Sequence, residues 1–298
     1  MTRRTALAVL ASSLTRAATR LPVNKNVRWA LGANLWNYFP RVPFTDILDI
    51  MRDTGFIGIR LTQFPQILKT YDITQADMER EVSKRNLHVI TISFNGPTHN
   101  PARRSEVIQS ARTAMNFLQS FGADRLVVFS PSRNVGTGET NFKAMCECFN
   151  RIGEAAGEMG FRAGLHNHVG QIVEYTNEVD QCMALTDPKL FWFSPDVAHL
   201  YLSNVDVVKT LEKYKDRLML LDYKDARRRP QADLNFQRED ISDFGDGEID
   251  FPGCHRVLKS IGFKGWICAD LDIARNGPRA SYERCGAYVV SKLESIYV

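Results

Sequence analysis

Two histidines, His166 and His168, end an apolar stretch of the chain that begins at Arg162. The stretch, Arg-Ala-Gly-Leu-His-Asn-His-Val, is typical of a β-strand, in which side chains at positions i and i+2 point to the same face. A single histidine on a strand is more often a hydrogen-bonded core residue than a ligand. Two imidazoles on one face of a strand end favour a functional site, because imidazole is both a proton carrier near neutral pH and a metal ligand.

Three later apolar stretches end in the same way, with polar side chains two or three residues apart. The first such pair is Asp196, within Phe191–Ala198, and His199, directly after it. The others are Asp222 and Lys224 within Leu218–Asp225, and Asp270 and Asp272 within Gly265–Asp272. Four strand ends of this kind predict one shared polar site.

The side chains of His166, Asp196, Asp222 and Asp270 would bring one imidazole and three carboxylates together. Three carboxylates at short range repel one another, and without a cation at least one would take up a proton. A divalent metal removes this conflict, and the donor set suits Mn²⁺, Mg²⁺, Fe²⁺, Co²⁺ or Zn²⁺, with the oxygens favouring the harder ions. Such a metal would polarise a substrate oxygen as a Lewis acid.

Other polar side chains at these strand ends are candidates for proton transfer or substrate binding. We predict catalytic roles for His166, His168, Lys224 and Asp270. Substrate-binding roles are predicted for His199 and Asp272 and, after earlier strands, for Asn34, Trp36 and Asn95. Arg60 and Thr62 are further candidates at the same level.

Several of these residues also have purely structural interpretations. Asp196 could cap a following helix, and Asp225 is the stronger candidate for such a cap. Asp272 could pair with Arg275. The run 227–229, three arginines, is more typical of a solvated loop than of a phosphate site.

The elements that must position these residues alternate regularly from Val27 to the end of the chain. Short stretches rich in β-formers are followed by longer stretches with helical spacing, eight times in succession. The alternation predicts parallel strands with crossover helices. Eight units predict a single-domain (β/α)8 TIM barrel, whose active site lies at the C-terminal ends of the strands. An open doubly wound sheet is the alternative, and the lack of a glycine-rich phosphate loop after the first strand argues against it.

Composition narrows the classes of function. The formal net charge of the 298-residue chain is +4 and its basic residues are dispersed, which gives nucleic-acid binding little support. The six cysteines form no C-x-x-C pair and are predicted to lie in the core.

The first 26 residues are predicted to be a signal or a flexible N-terminal segment, and residues 27–298 the barrel domain. Arg3 and Arg4 precede a short apolar run, and no acidic residue occurs before Asp46. This pattern resembles a twin-arginine export signal, which predicts an exported or periplasmic protein. A mitochondrial transit peptide and a cytoplasmic protein with a flexible tail are the alternatives. No later stretch is apolar and long enough to span a bilayer.

From about Val27 to Val298 the chain resembles the xylose isomerase-like TIM-barrel superfamily, which includes sugar phosphate isomerases and epimerases and inosose dehydratases. The motifs that carry the resemblance are Gly-Leu-His-Asn-His at 164–168, Asp-Val-Ala-His at 196–199, Asp-Tyr-Lys-Asp at 222–225, Gly-Asp-Gly-Glu-Ile-Asp-Phe at 245–251 and Gly-Trp-Ile-Cys-Ala-Asp-Leu-Asp at 265–272.

The resemblance implies a divalent metal held by Glu, Asp, His and Glu from strands five to eight. The matching positions are His166, Asp196, Asp222 and Asp270, where the usual types at the first and third positions are exchanged. One imidazole and three carboxylates therefore remain. A mechanism in which two glutamates shuttle the proton does not carry over, because neither glutamate is present.

The stretch 166–188 resembles the inosose dehydratase branch, which implies loss of water beside a ketone. The predicted function is a metal-dependent sugar or cyclitol isomerase, epimerase or dehydratase that removes a proton next to a carbonyl. His168 or His166 would be the base, and Lys224 or His199 would assist the leaving group. The alternatives are a 3-keto-glycoside or inosose lyase and a non-catalytic carbohydrate-binding barrel. A DNA-repair endonuclease is disfavoured by the small number of histidines, and a homo-oligomer is compatible with the fold.

Overall fold

The protein is described by a computed structural model that covers residues 20–32, 42–62, 64–229 and 240–298. Asn34 and Trp36 lie outside the described residues, as do residues 1–19 of the predicted N-terminal segment. No helix in the described ranges is both apolar enough and long enough to cross a membrane.

Eight parallel strands form one curled sheet, which confirms the predicted TIM barrel. They are β1 (Val27–Gly32), β2 (Gly58–Leu61), β3 (His88–Phe94), β4 (Arg125–Phe129), β5 (Arg162–His166), β6 (Phe191–Phe193), β7 (Leu221–Tyr223) and β8 (Gly265–Ala269). Each strand pairs with its neighbour in sequence, and β8 pairs with β1. Two parallel bridges, Phe193 with Leu218 and Asp196 with Asp222, link β6 to β7 and close the ring.

Helices follow the strands on the outside of the barrel. Their bounds are Phe44–Thr54, Gln66–Thr70, Gln75–Lys84, Arg104–Gln119, Glu139–Glu158, Thr176–Leu185, Val197–Leu202, Val207–Lys213, Phe251–Ser260 and Pro278–Tyr288, the last continuing as a π-helical turn over Val289–Leu293. Thr74 and Asp77 form a capping box at the start of the helix Gln75–Lys84. The predicted sixth strand ran to Ala198 and was too long, because Asp196 begins a short helix instead.

The alternation of side chains along the strands divides the buried residues into two cores. The larger core lies between the sheet and the helices. A smaller apolar layer inside the barrel contains Ala30, Ile90, Val127, Leu220 and Cys268. Asp222 and Asp270 lie two residues beyond Leu220 and Cys268 in sequence, so their side chains face the same interior. A polar layer therefore lies next to the apolar layer, at the C-terminal end of the barrel. All six cysteines are buried and unpaired, as predicted.

The prediction that Asp225 caps a helix was wrong. Asp225 lies in a two-stranded antiparallel ribbon, Asp225–Ala226 with Ile241–Ser242. Its carboxylate accepts hydrogen bonds from the backbone N–H groups of Ala226 (2.9 Å), Gly245 (2.8 Å), Gly247 (3.0 Å) and Ile249 (3.2 Å). The side chain thus folds the 245–251 motif back onto the strand end, and Asp250 caps the next helix.

We expect Asp225→Asn to lower the free energy of unfolding by about 2–4 kcal/mol. The amide nitrogen of asparagine would replace one carboxylate oxygen, and it cannot accept the hydrogen bonds that this oxygen accepts. Urea denaturation followed by circular dichroism measures the change. Asp216→Asn, at an exposed position, is the matched control and should unfold like the wild type. Equal stability of the two variants would contradict the role assigned to Asp225.

Candidate active site

The structure brings together the four side chains that the sequence predicted to meet. His166 ends β5, Asp196 follows β6, Asp222 lies in β7 and Asp270 directly follows β8. His166 Nδ1 lies 3.0 Å from Asp222 Oδ2, and His166 Nε2 lies 3.9 Å from Asp196 Oδ2. None of these four residues is more than 1% exposed. His166 and Asp222 are the two positions at which the resemblance implies that the usual carboxylate and imidazole are exchanged. Their side chains are in direct contact.

Arg60 on β2 points into the barrel and lies between two of these carboxylates. Its Nε is 3.2 Å from Asp222 Oδ1, and its Nη2 is 2.6 Å from Asp270 Oδ2. Its Nη1 donates to the hydroxyl of Ser93 on β3 at 3.1 Å. The guanidinium is a resident positive charge of the polar layer, since its side chain is only 1% exposed.

Lys224 brings a second positive charge to the same place. Its Nζ lies 2.8 Å from Asp270 Oδ2, 3.0 Å from Asp272 Oδ2 and 3.3 Å from Asp196 Oδ2. It is also 3.4 Å from His199 Nε2. Asp272 therefore pairs with Lys224 rather than with Arg275, whose guanidinium donates to the carbonyl of Ile241.

The pKa values of these groups follow from burial and from the two cations. Burial tends to lower the pKa of Lys224, but Asp196, Asp270 and Asp272 outweigh it and raise that pKa well above its usual value. Burial tends to raise the pKa of Asp270, but Arg60 and Lys224 together hold it well below the usual range. For Asp196 and Asp222 burial dominates, and the pKa of each rises to about 6. Lys224 is consequently an ammonium ion rather than a free amine.

The arrangement does not fit a divalent metal as it stands. Three carboxylate oxygens that could face an ion face the Lys224 ammonium instead, and Asp270 Oδ2 also contacts Arg60. Within the described ranges, no group of three or more His, Cys, Asp or Glu side chains is arranged to hold a metal ion. The predicted ligands meet, but they surround cationic side chains.

The His168 and His199 rings lie against each other beside this cluster, with centroids 3.6 Å apart and planes inclined by 33°. His168 Nδ1 lies 2.7 Å from the carbonyl oxygen of Val169. A carbonyl oxygen can only accept, so Nδ1 carries the proton and Nε2 keeps a lone pair. Burial, followed by Lys224 and His166, lowers the pKa of His168 to about 4. His168 is half-buried and His199 fully buried, so His168 is the neutral imidazole nearer to solvent.

Asp196 caps a helix, as one of its two interpretations predicted, and it also faces the charged cluster. Its Oδ1 accepts from the N–H groups of Ala198 (3.0 Å) and His199 (3.1 Å) as a helix cap, and its Oδ2 faces Lys224. Asn95, predicted to bind substrate, is exposed immediately after β3.

Sequence reasoning missed the role of Gly32 at the end of β1. A Cβ atom at this position would lie 2.0 Å from Asp270 Oδ1. The absence of a side chain therefore makes room for the Asp270 carboxylate. A glycine inside a strand is a known sign of such close approach.

Comparison with known proteins agrees with this architecture. The family model described as xylose isomerase-like TIM barrel matches residues 42–284. The chain belongs to this family. The predicted resemblance is thus confirmed.

Relatives of the chain include several inosose dehydratases. The chain is 32% identical over 178 residues to that of Bacillus velezensis, which covers 53% of this chain and 60% of the relative. It is 28% identical over 255 residues to that of Clostridium perfringens strain ATCC 13124, covering 77% of this chain and 82% of the relative. The chain thus matches 60% of the length of the first relative, and less than two thirds of several others.

Solved structures of the family share the fold. A sugar phosphate isomerase/epimerase from Parabacteroides distasonis superposes with a TM-score of 0.70 at 19% identity, covering 93% of this chain and 95% of that one. The IOLI protein with a bound zinc atom superposes with a TM-score of 0.75 at 13% identity, covering 91% and 99%. At these identities the likeness shows the fold alone.

We expect Gly32→Ala to displace the Asp270 carboxylate from Arg60 and Lys224 and to lower the free energy of unfolding by about 1–3 kcal/mol. Gly157→Ala makes the same substitution at an exposed position near the end of the helix Glu139–Glu158, where a Cβ atom meets nothing within 4 Å. That control should be neutral or slightly stabilising. Thermal and urea denaturation of both variants measure the difference, and a Gly32→Ala protein as stable as the wild type would contradict the close approach.

Proposed function

We propose that this chain is an enzyme that removes the proton beside the ketone of a cyclitol or sugar, with loss of water as its principal reaction. Relatives named inosose dehydratase support the substrate class and the reaction. The observation that carries the proposal is the half-buried imidazole of His168, which donates through Nδ1 to the carbonyl of Val169 and lies against His199, a neighbour of Lys224.

In the proposed reaction His168 Nε2 takes the proton from the carbon next to the ketone. The electron pair of the broken C–H bond moves toward the carbonyl and forms an enolate. The enolate then re-forms the carbonyl and expels the hydroxyl group of the next carbon, which leaves as water with the proton that His168 took up, passed on through His199. The product is an unsaturated ketone.

The positive charge of Lys224 favours the enolate in this proposal. Lys224 is the charged group with the largest effect on His168, and it touches His199, the stacking partner of His168. A fixed positive charge in a site that excludes water stabilises negative charge as it develops. His199, in contact with both Lys224 and the His168 ring, is the group placed to pass a proton toward the leaving hydroxyl.

His166 and Asp270 have supporting roles in this proposal. Burial, then the charge of Arg60, lowers the pKa of His166 to about 3, and its ring packs 4.1 Å from that of Phe129. His166 lies against Asp222, and Asp270 pairs with both cations. Isomerisation or epimerisation would share the first proton transfer and differ only in where the proton returns.

A non-catalytic carbohydrate-binding barrel is the second candidate. The observation that favours it is the extensive ion pairing within the cluster, where both cations already contact carboxylates. Such a barrel would bind an inosose without exchanging its protons, so one assay separates the two candidates.

We expect wild-type protein in D₂O to exchange the proton beside the ketone of an inosose and to release water, followed by NMR and by mass spectrometry of the product. His168→Gln should reduce both rates by about 10²–10⁴-fold, because glutamine cannot accept the proton. The matched control is His88→Gln, since His88 begins β3 at the opposite end of the barrel. Its rates should equal those of the wild type.

Two outcomes would contradict this proposal. Binding of an inosose by the wild type with neither exchange nor elimination would favour the carbohydrate-binding barrel. Undiminished exchange in His168→Gln would remove His168 as the base.

A further inference from the structure

Lys224 is surrounded by carboxylates as a bound cation would be. Oxygens of Asp196, Asp270 and Asp272, from the ends of β6 and β8, all lie within 3.3 Å of its single ammonium nitrogen. Arg60 joins Asp270 to Asp222 on the other side of the cluster. Two positive side chains thus occupy the interior of the predicted metal-ligand set.

We propose that Lys224, together with Arg60, is the resident cation of this site, and that the native chain binds no divalent metal among these carboxylates. The inference concerns the charge of the site and holds whether or not the chain acts on an inosose.

Competition for the same oxygens is the first argument. Asp270 Oδ2 contacts both Arg60 (2.6 Å) and Lys224 (2.8 Å). Asp196 has only Oδ2 to offer, because its Oδ1 caps the helix that follows. A divalent ion bound to these oxygens would lie next to the ammonium. Repulsion between the two cations is strong where burial removes the screening by water.

Charge balance is the second argument. Lys224 lies 3.3 Å from Asp196 Oδ2 and 2.8 Å from Asp270 Oδ2, and Arg60 lies 3.2 Å from Asp222 Oδ1. Each of the three carboxylates that the predicted metal would bind therefore already has a positive side chain of the chain itself as its partner. A buried site whose carboxylates are paired in this way has little need of a further cation.

The proposal predicts what removal of the ammonium would do. Without it, Arg60 would be the remaining positive side chain in the ion pairs described above. Four carboxylates would share that one charge, those of Asp196, Asp222, Asp270 and Asp272. Buried carboxylates that lose their countercharge either take up protons or bind another cation. A neutral side chain of similar length at position 224 should therefore create a metal site.

The experiment compares the wild type with Lys224→Met and with Lys209→Met, a control at an exposed lysine. Each protein is treated with EDTA and titrated calorimetrically with Mn²⁺, Co²⁺ and Zn²⁺, and metal content is measured after dialysis. We expect no bound ion in the wild type and in the control, and about one ion per chain in Lys224→Met. A folded Lys224→Met protein that binds metal no better than the wild type would overturn the proposal.

The wild type, with Asp222→Asn beside it, also decides the question if Lys224→Met does not fold. EDTA should leave its Tm unchanged, and an excess of any of the three ions should not raise the Tm, because a ligand stabilises only a state that binds it. About one tightly held ion per wild-type chain, lost in Asp222→Asn, would contradict the inference. Since these readouts do not involve turnover, the proposed function can fail while this inference stands, and the reverse.

Discussion

The ion-pair cluster inside the C-terminal end of the barrel is the constraint on which the rest of the structure depends. Arg60, Lys224 and the carboxylates of Asp196, Asp222 and Asp270 are all at most 1% exposed. A buried charge is tolerated only with a partner, and removal of one partner typically costs about 3–5 kcal/mol. Each strand that contributes a member must therefore hold it in register with the others. The apolar layer beneath the cluster excludes water from below and strengthens every one of these contacts.

Local features of the chain satisfy this constraint one by one. Gly32 leaves space for the Asp270 carboxylate, and Asp196 divides its two oxygens between a helix cap and Lys224. Asp225, next to Lys224 in sequence, is held by four backbone N–H groups, which anchors the strand end that carries the ammonium. The His168 and His199 rings lie against the cluster, so the chemistry proposed for His168 takes place beside a fixed positive charge.

The barrel and the convergence of the site could be predicted from sequence because both depend on periodicity. Alternation along strands puts Asp222 and Asp270 on the inner face, and eight repeated units determine the topology. The sixth strand was predicted too long because the apolar run continues past Asp196 into a capped helix. The partners of Lys224 and Asp225 could not be predicted, since they lie up to 48 residues away in sequence and depend on how strand ends pack. Arg60 was noticed as a polar strand residue, but its place between Asp222 and Asp270 could not be predicted. That place depends on closure of the ring, in which β1 pairs with both β2 and β8, and β8 pairs with β7.

A crystal structure of the wild type grown with an excess of Zn²⁺, with data collected at the zinc absorption edge, tests the central claim most directly. We expect the density among Asp196, Asp270 and Asp272 to be continuous with the Lys224 side chain and to give no anomalous peak. An anomalous peak coordinated by His166, Asp196 and Asp270, with Lys224 turned away from the carboxylates, would contradict a site built on the chain's own cations.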